Sequence, residues 1–242
     1  MACFAPISAL ANPTENSVHV TLPHFHKFTA SLATTGALIV AFGSSSTQGT
    51  GASSPEHTWP SVMNQTLEHA WPWSHVRVLN RGKAGDDSNM MMERFGRDVM
   101  DEAPDLLIWQ SGANDMLRGV QSHQFEDNMS KGIELALAAG SDVVLMGAQN
   151  SPRIRAAGGT GITDSVLARL SVRYRIGLVL RSRLQEEWEA MGTPETAMIS
   201  ADGLHYTDVG YALLGRSMAL SIMDVVHTWP SSKISLARLP QR

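Results

Sequence analysis

A serine-rich segment follows the first apolar run of the chain and contains the first side chains that could do chemistry. Residues 43–51 read Gly-Ser-Ser-Ser-Thr-Gln-Gly-Thr-Gly. A phosphate-binding P-loop is excluded, because that motif ends in Gly-Lys-Ser/Thr and this segment has no lysine. A dinucleotide fingerprint fits poorly, since Ser54 stands where the third glycine after Gly49 and Gly51 belongs. The remaining interpretations are a nucleophilic serine on a tight strand-to-helix turn and a flexible Ser/Gly loop.

Further polar segments follow along the chain, and each has an ordinary structural explanation on its own. Gly85, within residues 80–87, is a candidate turn glycine, and Asn114-Asp115 is a candidate helix cap. Asp202-Gly203, shortly before His205, is a candidate turn. Together with the serines they supply a hydroxyl group, a backbone N–H, a side-chain amide and an Asp/His pair. Acyl transfer requires this combination, as nucleophile, oxyanion donors, base and orienting carboxylate.

Short apolar runs that alternate with helical patterns predict the elements that position these segments. The predicted strands are 37–42, 75–80, 105–110, 142–147 and 176–180, and the predicted helices lie near 57–70, 88–102, 122–139, 163–174, 182–191 and 207–226. Strands that are apolar throughout are typical of a parallel sheet covered on both faces. The sequence therefore predicts an α/β fold, a three-layer α/β/α sandwich with a five-stranded parallel sheet of flavodoxin-like outline. Ligands bind such sheets at the carboxyl ends of the strands, where the polar segments are expected.

These segments closely resemble the sequence blocks of the SGNH (GDSL-type) hydrolases, in the same order and with similar spacing over about residues 37–226. The resemblance is to a bacterial branch with a Gly-Ser-Ser-Ser-Thr nucleophile block, in which exported members are common. One residue departs from the family pattern, because Ser44 stands where the Gly-Asp-Ser block has its aspartate. That aspartate is not the proton acceptor in the family, so the resemblance implies that the chemistry is retained.

The resemblance assigns roles to individual residues. It implies Ser45 as the nucleophile, His205 as the base and Asp202 as the group that orients the base. It also implies an oxyanion hole formed by the N–H groups of Ser45 and Gly85 and by the side chain of Asn114. We therefore expect a serine esterase that hydrolyses carboxylic ester bonds through an acyl-enzyme, with short-acyl or O-acetyl esters favoured. No metal or organic cofactor is expected.

Two alternatives to hydrolysis stay open at the level of the sequence. One is transfer of the acyl group to a sugar or another alcohol instead of water. The other is a catalytically silent binding module on the same fold, although every catalytic residue type is present. In each case the expected partner is a small-molecule or carbohydrate ester.

Residues 150–161 follow the fourth predicted strand and are expected to border the site. Arg153 and Arg155 in this segment could bind the alcohol side of an anionic or sugar-bearing ester, because the guanidinium fork suits carboxylates and phosphates. The alternative is a solvated loop whose arginines contribute only solubility.

Composition limits the class of protein. The chain has 242 residues with 43% hydrophobic residues and a net charge of −4, which does not suggest a nucleic-acid partner. Cys3 is the single cysteine, so an intrachain disulfide is excluded. No uninterrupted apolar run approaches the roughly 18–20 residues of a membrane span. The sequence does not predict an oligomeric state.

The two ends of the chain are less informative. Residues 1–36 are interpreted as an N-terminal extension that could wrap over the sheet, 37–228 as the hydrolase domain and 229–242 as a C-terminal tail. Residues 1–11 are apolar and end in Ala-Leu-Ala, which is compatible with the remnant of an export signal or with a plain tail. We favour a secreted or periplasmic location over a cytoplasmic one.

Overall fold

A computed structural model describes residue 20 and residues 22–228 of the chain, so the interpretations of residues 1–11 and 229–242 lie outside the described residues. The strands are β1 Leu38–Gly43, β2 Arg77–Gly82, β3 Leu106–Gln110, β4 Asp142–Met146 and β5 Gly177–Val179. They form one sheet in the order β2-β1-β3-β4-β5, and every neighbouring pair is parallel. This confirms the predicted α/β fold with a five-stranded parallel sheet.

Helices occupy the connections between the strands. They are α1 His26–Leu32, α2 Ser45–Gln48, α3 Trp59–Ala70, α4 Ser88–Phe95, α5 Ala113–Arg118, α6 Ser122–Ala138, α7 Pro152–Ala156, α8 Gly161–Tyr174, α9 Arg181–Ala190, α10 Glu195–Met198 and α11 Asp208–His227. A 3₁₀ turn at Pro55–His57 precedes α3, and a π-helical turn at Gly96–Met100 continues α4. The shortest helices lie beside the carboxyl edge of the sheet, where the candidate site is built.

Two apolar layers hold the helices on the sheet. Side chains alternate along β1, so Ile39 and Ala41 face one layer while Val40 and Phe42 face the other. The first layer contains buried residues of α1, α3, α9 and α11, and the second contains those of α4, α6 and α8. Because both faces are covered, the inner strands β1, β3 and β4 are largely apolar, whereas the edge strand β2 contains Arg77, Asn80 and Arg81.

The described part of the N-terminal extension belongs to the first apolar layer. Phe25 and Phe28 are buried there, and the backbone N–H of Phe28 donates to Asp142 Oδ2 at 2.9 Å. Asp142 begins β4, so the extension is attached to the edge of the sheet opposite the candidate site. Burial raises the pKa of Asp142, and the hydrogen bonds from this backbone oppose that rise.

Helix α11 is the one helix among the described residues that is long and apolar enough to cross a membrane, judged by length and composition. However, 56% of its most apolar window is buried inside the structure. Tyr211, Leu214 and Met218 on this helix belong to the apolar layer that also contains residues of α3. These contacts are those of a core helix.

Candidate active site

Ser45 lies on a tight turn between β1 and α2. It is the first residue of α2, directly after extended Ser44, and its carbonyl accepts a hydrogen bond from the N–H of Gly49 at 2.8 Å. The Ser45 side chain is largely buried. The hydroxyl of Ser45 therefore lies at the carboxyl end of β1, which is the strand next to the outer strand β2.

His205 and Asp202 meet Ser45 from the segment that precedes α11. His205 Nε2 lies 2.8 Å from Ser45 Oγ, and His205 Nδ1 lies 2.5 Å from Asp202 Oδ2. The two ring nitrogens thus face a hydroxyl on one side and a carboxylate on the other, which is the geometry of a hydroxyl, a base and an orienting acid.

Asp202 is fixed by a set of hydrogen bonds at its second oxygen. Asp202 Oδ1 accepts from Ser200 Oγ at 2.7 Å and from the N–H groups of Leu204 and His205 at 2.8 and 3.0 Å. Burial would raise the pKa of Asp202, but the bonds from His205, Ser200 and the backbone outweigh it and hold the pKa well below its ordinary value. The carboxylate is therefore charged at neutral pH.

Two glycines shape the loop that follows β2. A Cβ on Gly82 would lie 2.0 Å from the backbone nitrogen of Gln48 in α2, so only glycine permits this close approach. Gly85 has φ of +85°, in the left-handed region that favours glycine. The loop is also attached to α2, because the N–H of Ala84 donates to Gln48 Oε1 at 2.5 Å.

Asn114 and Asp115 begin α5 and connect it to that loop. Asn114 Nδ2 donates to the carbonyl of Asp86 at 2.8 Å. Asp115 accepts from the N–H of Ser88 at 2.9 Å and from the N–H of Gly112 at 3.2 Å. Burial raises the pKa of Asp115, and these bonds oppose that rise. Asp115 is thus a helix cap that joins the starts of α4 and α5.

The model of the non-GDSL lipase-like family matches residues 11–228. The chain belongs to this family. An arylesterase of Vibrio mimicus is 35% identical over 92 residues, which are 38% of this chain and 44% of the relative. Esterase TesA of Pseudomonas aeruginosa is 34% identical over 76 residues, which are 31% of this chain and 38% of the relative. The chain thus spans less than half the length of these two curated relatives.

A solved structure shares the fold. The lipase/acylhydrolase from Enterococcus faecalis is 24% identical, with a TM-score of 0.65, and the match covers 78% of this chain and 96% of the other. At this identity the likeness concerns the fold alone. The resemblance to SGNH hydrolases that the sequence blocks indicated is confirmed at the level of the family.

Ser44, which replaces the aspartate of the GDSL block, is held by Gln110 of the neighbouring strand. Both the N–H and the hydroxyl of Ser44 donate to Oε1 of Gln110 at 3.0 Å. Thr47 Oγ1 donates to the same oxygen at 3.1 Å. Gln110 ends β3 and is fully buried, so it closes the turn around Ser45 from the neighbouring strand.

The two arginines predicted to bind substrate differ in their surroundings. Arg155 forms a bidentate pair with Glu195, with distances of 2.6 and 3.0 Å, so its guanidinium is already occupied. Arg153 has an exposed side chain. Its backbone N–H donates to the carbonyl of Gly203 at 3.0 Å, and Gly203 lies between Asp202 and His205 in the chain. Both arginines lie on the short helix α7. Arg153 is therefore the better candidate of the two.

Sequence reasoning did not identify Gln110, Arg94 or the connecting role of Asp115. Each is a buried polar residue; no motif marks Gln110 or Arg94, and Asp115 was predicted only as a candidate helix cap. A polar residue at the end of an otherwise apolar strand was the signal available for Gln110. Within residues 20 and 22–228, no cluster of three or more His, Cys, Asp or Glu residues could hold a metal ion.

Proposed function

We propose that this protein is a serine carboxylic ester hydrolase that acts through an acyl-enzyme. The observation that carries the proposal is the continuous series of contacts from Ser45 Oγ to His205 Nε2 at 2.8 Å and from His205 Nδ1 to Asp202 Oδ2 at 2.5 Å. Membership of a lipase-like family and the partial matches to an arylesterase and to esterase TesA support the same reaction.

In the acylation step, His205 removes the proton of Ser45 as Oγ attacks the ester carbonyl. The ionised Asp202 stabilises the imidazolium that forms and fixes the ring so that Nε2 faces the serine. The tetrahedral intermediate then collapses, the bond to the alcohol oxygen breaks, and His205 returns its proton to the leaving alcohol.

Three donors stabilise the negative charge of the intermediate. They are the N–H groups of Ser45 and Gly85 and the side-chain amide of Asn114. The amide of Asn114 carries two N–H bonds, of which the bond to the Asp86 carbonyl uses one. The second N–H is available for the oxyanion, and the first holds the amide in place.

Deacylation repeats these steps with water. His205 removes a proton from water, the hydroxide oxygen attacks the acyl carbonyl, and the bond to Ser45 Oγ breaks. Ser45 takes the proton back from His205, and a carboxylic acid is released. The same residues therefore serve both halves of the reaction.

For the substrate, we propose short-acyl esters, including O-acetyl esters. Arg153, beside the segment that carries His205, would contact the alcohol portion of an ester that carries a negative charge or a sugar. An aryl acetate is the suitable first substrate, because it needs neither of these features.

Labelling with a fluorophosphonate tests the proposed nucleophile directly. We expect one modification on Ser45, located by mass spectrometry of the digested protein, together with loss of aryl acetate hydrolysis. The Ser45→Ala variant should not be labelled, whereas the matched Ser46→Ala variant should be. Labelling of another serine, or unchanged hydrolysis by Ser45→Ala, would contradict the proposal.

A further inference from the structure

Arg94 is a buried cation that contacts several parts of the site's framework. Its side chain is 5% exposed, and Nε donates to Asp86 Oδ2 at 2.5 Å. Nη2 donates to the carbonyl of Gly43 at 2.8 Å, and Nη1 donates to the carbonyl of Arg81 at 2.9 Å and to Asp98 Oδ2 at 2.7 Å. The guanidinium also lies over the ring of Phe42, 4.3 Å from its centroid.

Two of the partners of Arg94 lie beside residues proposed as oxyanion donors. Gly43 ends β1 two residues before Ser45, and Asp86 directly follows Gly85. The carbonyl of Asp86 in turn accepts the hydrogen bond from Asn114 Nδ2. One guanidinium therefore connects the end of β1 to the Gly85–Asp86 loop, and this loop in turn accepts the hydrogen bond from Asn114.

We propose that Arg94 is a positioning residue of the oxyanion hole, acting through the Gly43 carbonyl and the Asp86 carboxylate. This proposal rests on the proposed ester hydrolysis. Stabilisation of an oxyanion requires donors at about 2.7–3.1 Å from the oxygen, and a misplacement of about 1 Å can cost about 10²-fold in rate. A planar fork can hold two carbonyls and a carboxylate in one fixed arrangement, which the flexible ammonium group of lysine cannot do.

Comparison of Arg94→Lys with Asp98→Asn tests the proposal. Both variants alter the same ion-pair network, but the hydrogen bonds given for the Asp98 carboxylate come from the side chains of Arg94 and Arg97 and not from the Gly43 or Gly85–Asp86 segments. We expect Arg94→Lys to lower kcat for an aryl acetate by about 10²-fold, with KM within about twofold of the wild-type value. Asp98→Asn should keep kcat within about threefold of the wild-type value, even if its melting temperature falls as much as that of Arg94→Lys.

A second measurement separates positioning from general loosening of the fold. Phenylboronic acid forms a tetrahedral adduct with a serine nucleophile, with one boron-bound oxygen in the oxyanion hole. Its affinity should fall in Arg94→Lys in proportion to kcat and stay near the wild-type value in Asp98→Asn. If Arg94→Lys does not fold, Asp86→Asn replaces it, with a loss of kcat at unchanged KM expected.

Each outcome decides either the positioning role or the function. The role of Arg94 would be overturned if Arg94→Lys kept the wild-type kcat and boronic acid affinity, and the same holds for Asp86→Asn if that variant is used instead. Either result would leave the proposed hydrolysis intact. Equal losses in Arg94→Lys and Asp98→Asn would also overturn it, because they would mean a structural effect only. Failure of the wild-type protein to hydrolyse any ester would instead contradict the proposed function.

Discussion

The hydroxyl of Ser44 donates to Oε1 of Gln110 at 3.0 Å, and the backbone N–H of Ser44 donates to the same oxygen. Thr47 supplies a third donor from the other side of Ser45. A single amide oxygen on β3 therefore joins the residues that flank the candidate nucleophile. The neutral amide of Gln110 accepts these hydrogen bonds in a buried position without the desolvation cost that a buried carboxylate would have.

We predict that Gln110→Met lowers both stability and kcat. The buried N–H of Ser44 would lose its acceptor, which should cost about 1–3 kcal/mol in the free energy of unfolding. Displacement of the turn should lower kcat about tenfold or more, because small misplacements of a nucleophile are costly. Urea unfolding and aryl acetate kinetics measure the two effects.

Variants that each remove one of the two hydroxyl donors to Gln110 provide the control. Ser44→Ala and Thr47→Val each delete one hydroxyl and leave the bond from the Ser44 N–H to Gln110 in place. Both should be much milder than Gln110→Met, and Gln110→Glu, which keeps an acceptor, should retain more activity than Gln110→Met. A Gln110→Met enzyme with normal kcat would show that the turn holds without this residue.

We predict that Ser45→Ala and His205→Ala each lower kcat by about 10³-fold or more, and that the double variant is hardly worse. The two side chains act as one unit, so the second removal has little left to abolish. Steady-state kinetics of the four proteins measure this. Additive losses in the double variant would mean that Ser45 and His205 act in separate steps.

Asn114→Ala should lower kcat by about 10²–10³-fold with little change in KM, because an oxyanion donor acts mainly in the transition state. Asn114→Asp is the matched variant, since it keeps the size of the side chain and removes its donors. The kcat and KM of both variants for an aryl acetate measure this effect. A change confined to KM would assign Asn114 to ground-state binding instead.

Asp202→Asn should reduce kcat severely, because the amide cannot stabilise the imidazolium of His205 as a carboxylate does. It should also remove a pH-dependent part of the stability. The pKa of Asp202 is lowered in the folded protein, so its charged form stabilises the fold above the ordinary value of about 3.9, and this contribution is lost as the pH falls.

Urea unfolding of the wild type and of Asp202→Asn at pH 7 and at pH 3 measures that contribution. The stability difference between the two proteins should be larger at pH 7 than at pH 3. A difference that grows toward acid pH would contradict the lowered pKa.

The sequence predicted the sheet well, because most strands are apolar runs between turn signals; the partly polar edge strand β2, predicted at 75–80, is Arg77–Gly82. The predicted strand 37–42 is Leu38–Gly43 in the structure, and 142–147 is Asp142–Met146. The short helices α2, α5, α7 and α10 escaped prediction, since four to six residues show no helical period. The proposed roles of Ser45 and His205 came from motif resemblance, not from periodicity.

Residues that act through burial could not be predicted in the same way. Arg94 reads as an ordinary polar position of an amphipathic helix, and only the fold brings it to the carbonyl of Gly43, 51 residues away in the chain. Gln110 likewise owes its role to a neighbouring strand. Contacts between distant segments leave no local pattern, so their participants are visible only in three dimensions.

The last prediction concerns Arg153 and Arg155, which lie two residues apart on α7. The guanidinium of Arg155 is held by Glu195, whereas Arg153 is exposed beside the segment that carries His205. Arg153→Ala should therefore raise KM for an anionic ester about two- to fivefold, the range expected of an exposed charge pair, and leave a neutral aryl acetate unaffected. Arg155→Ala, the matched control, should leave both esters unaffected. Equal effects of Arg153→Ala on the two esters, or none on either, would mean that α7 contributes no charge recognition.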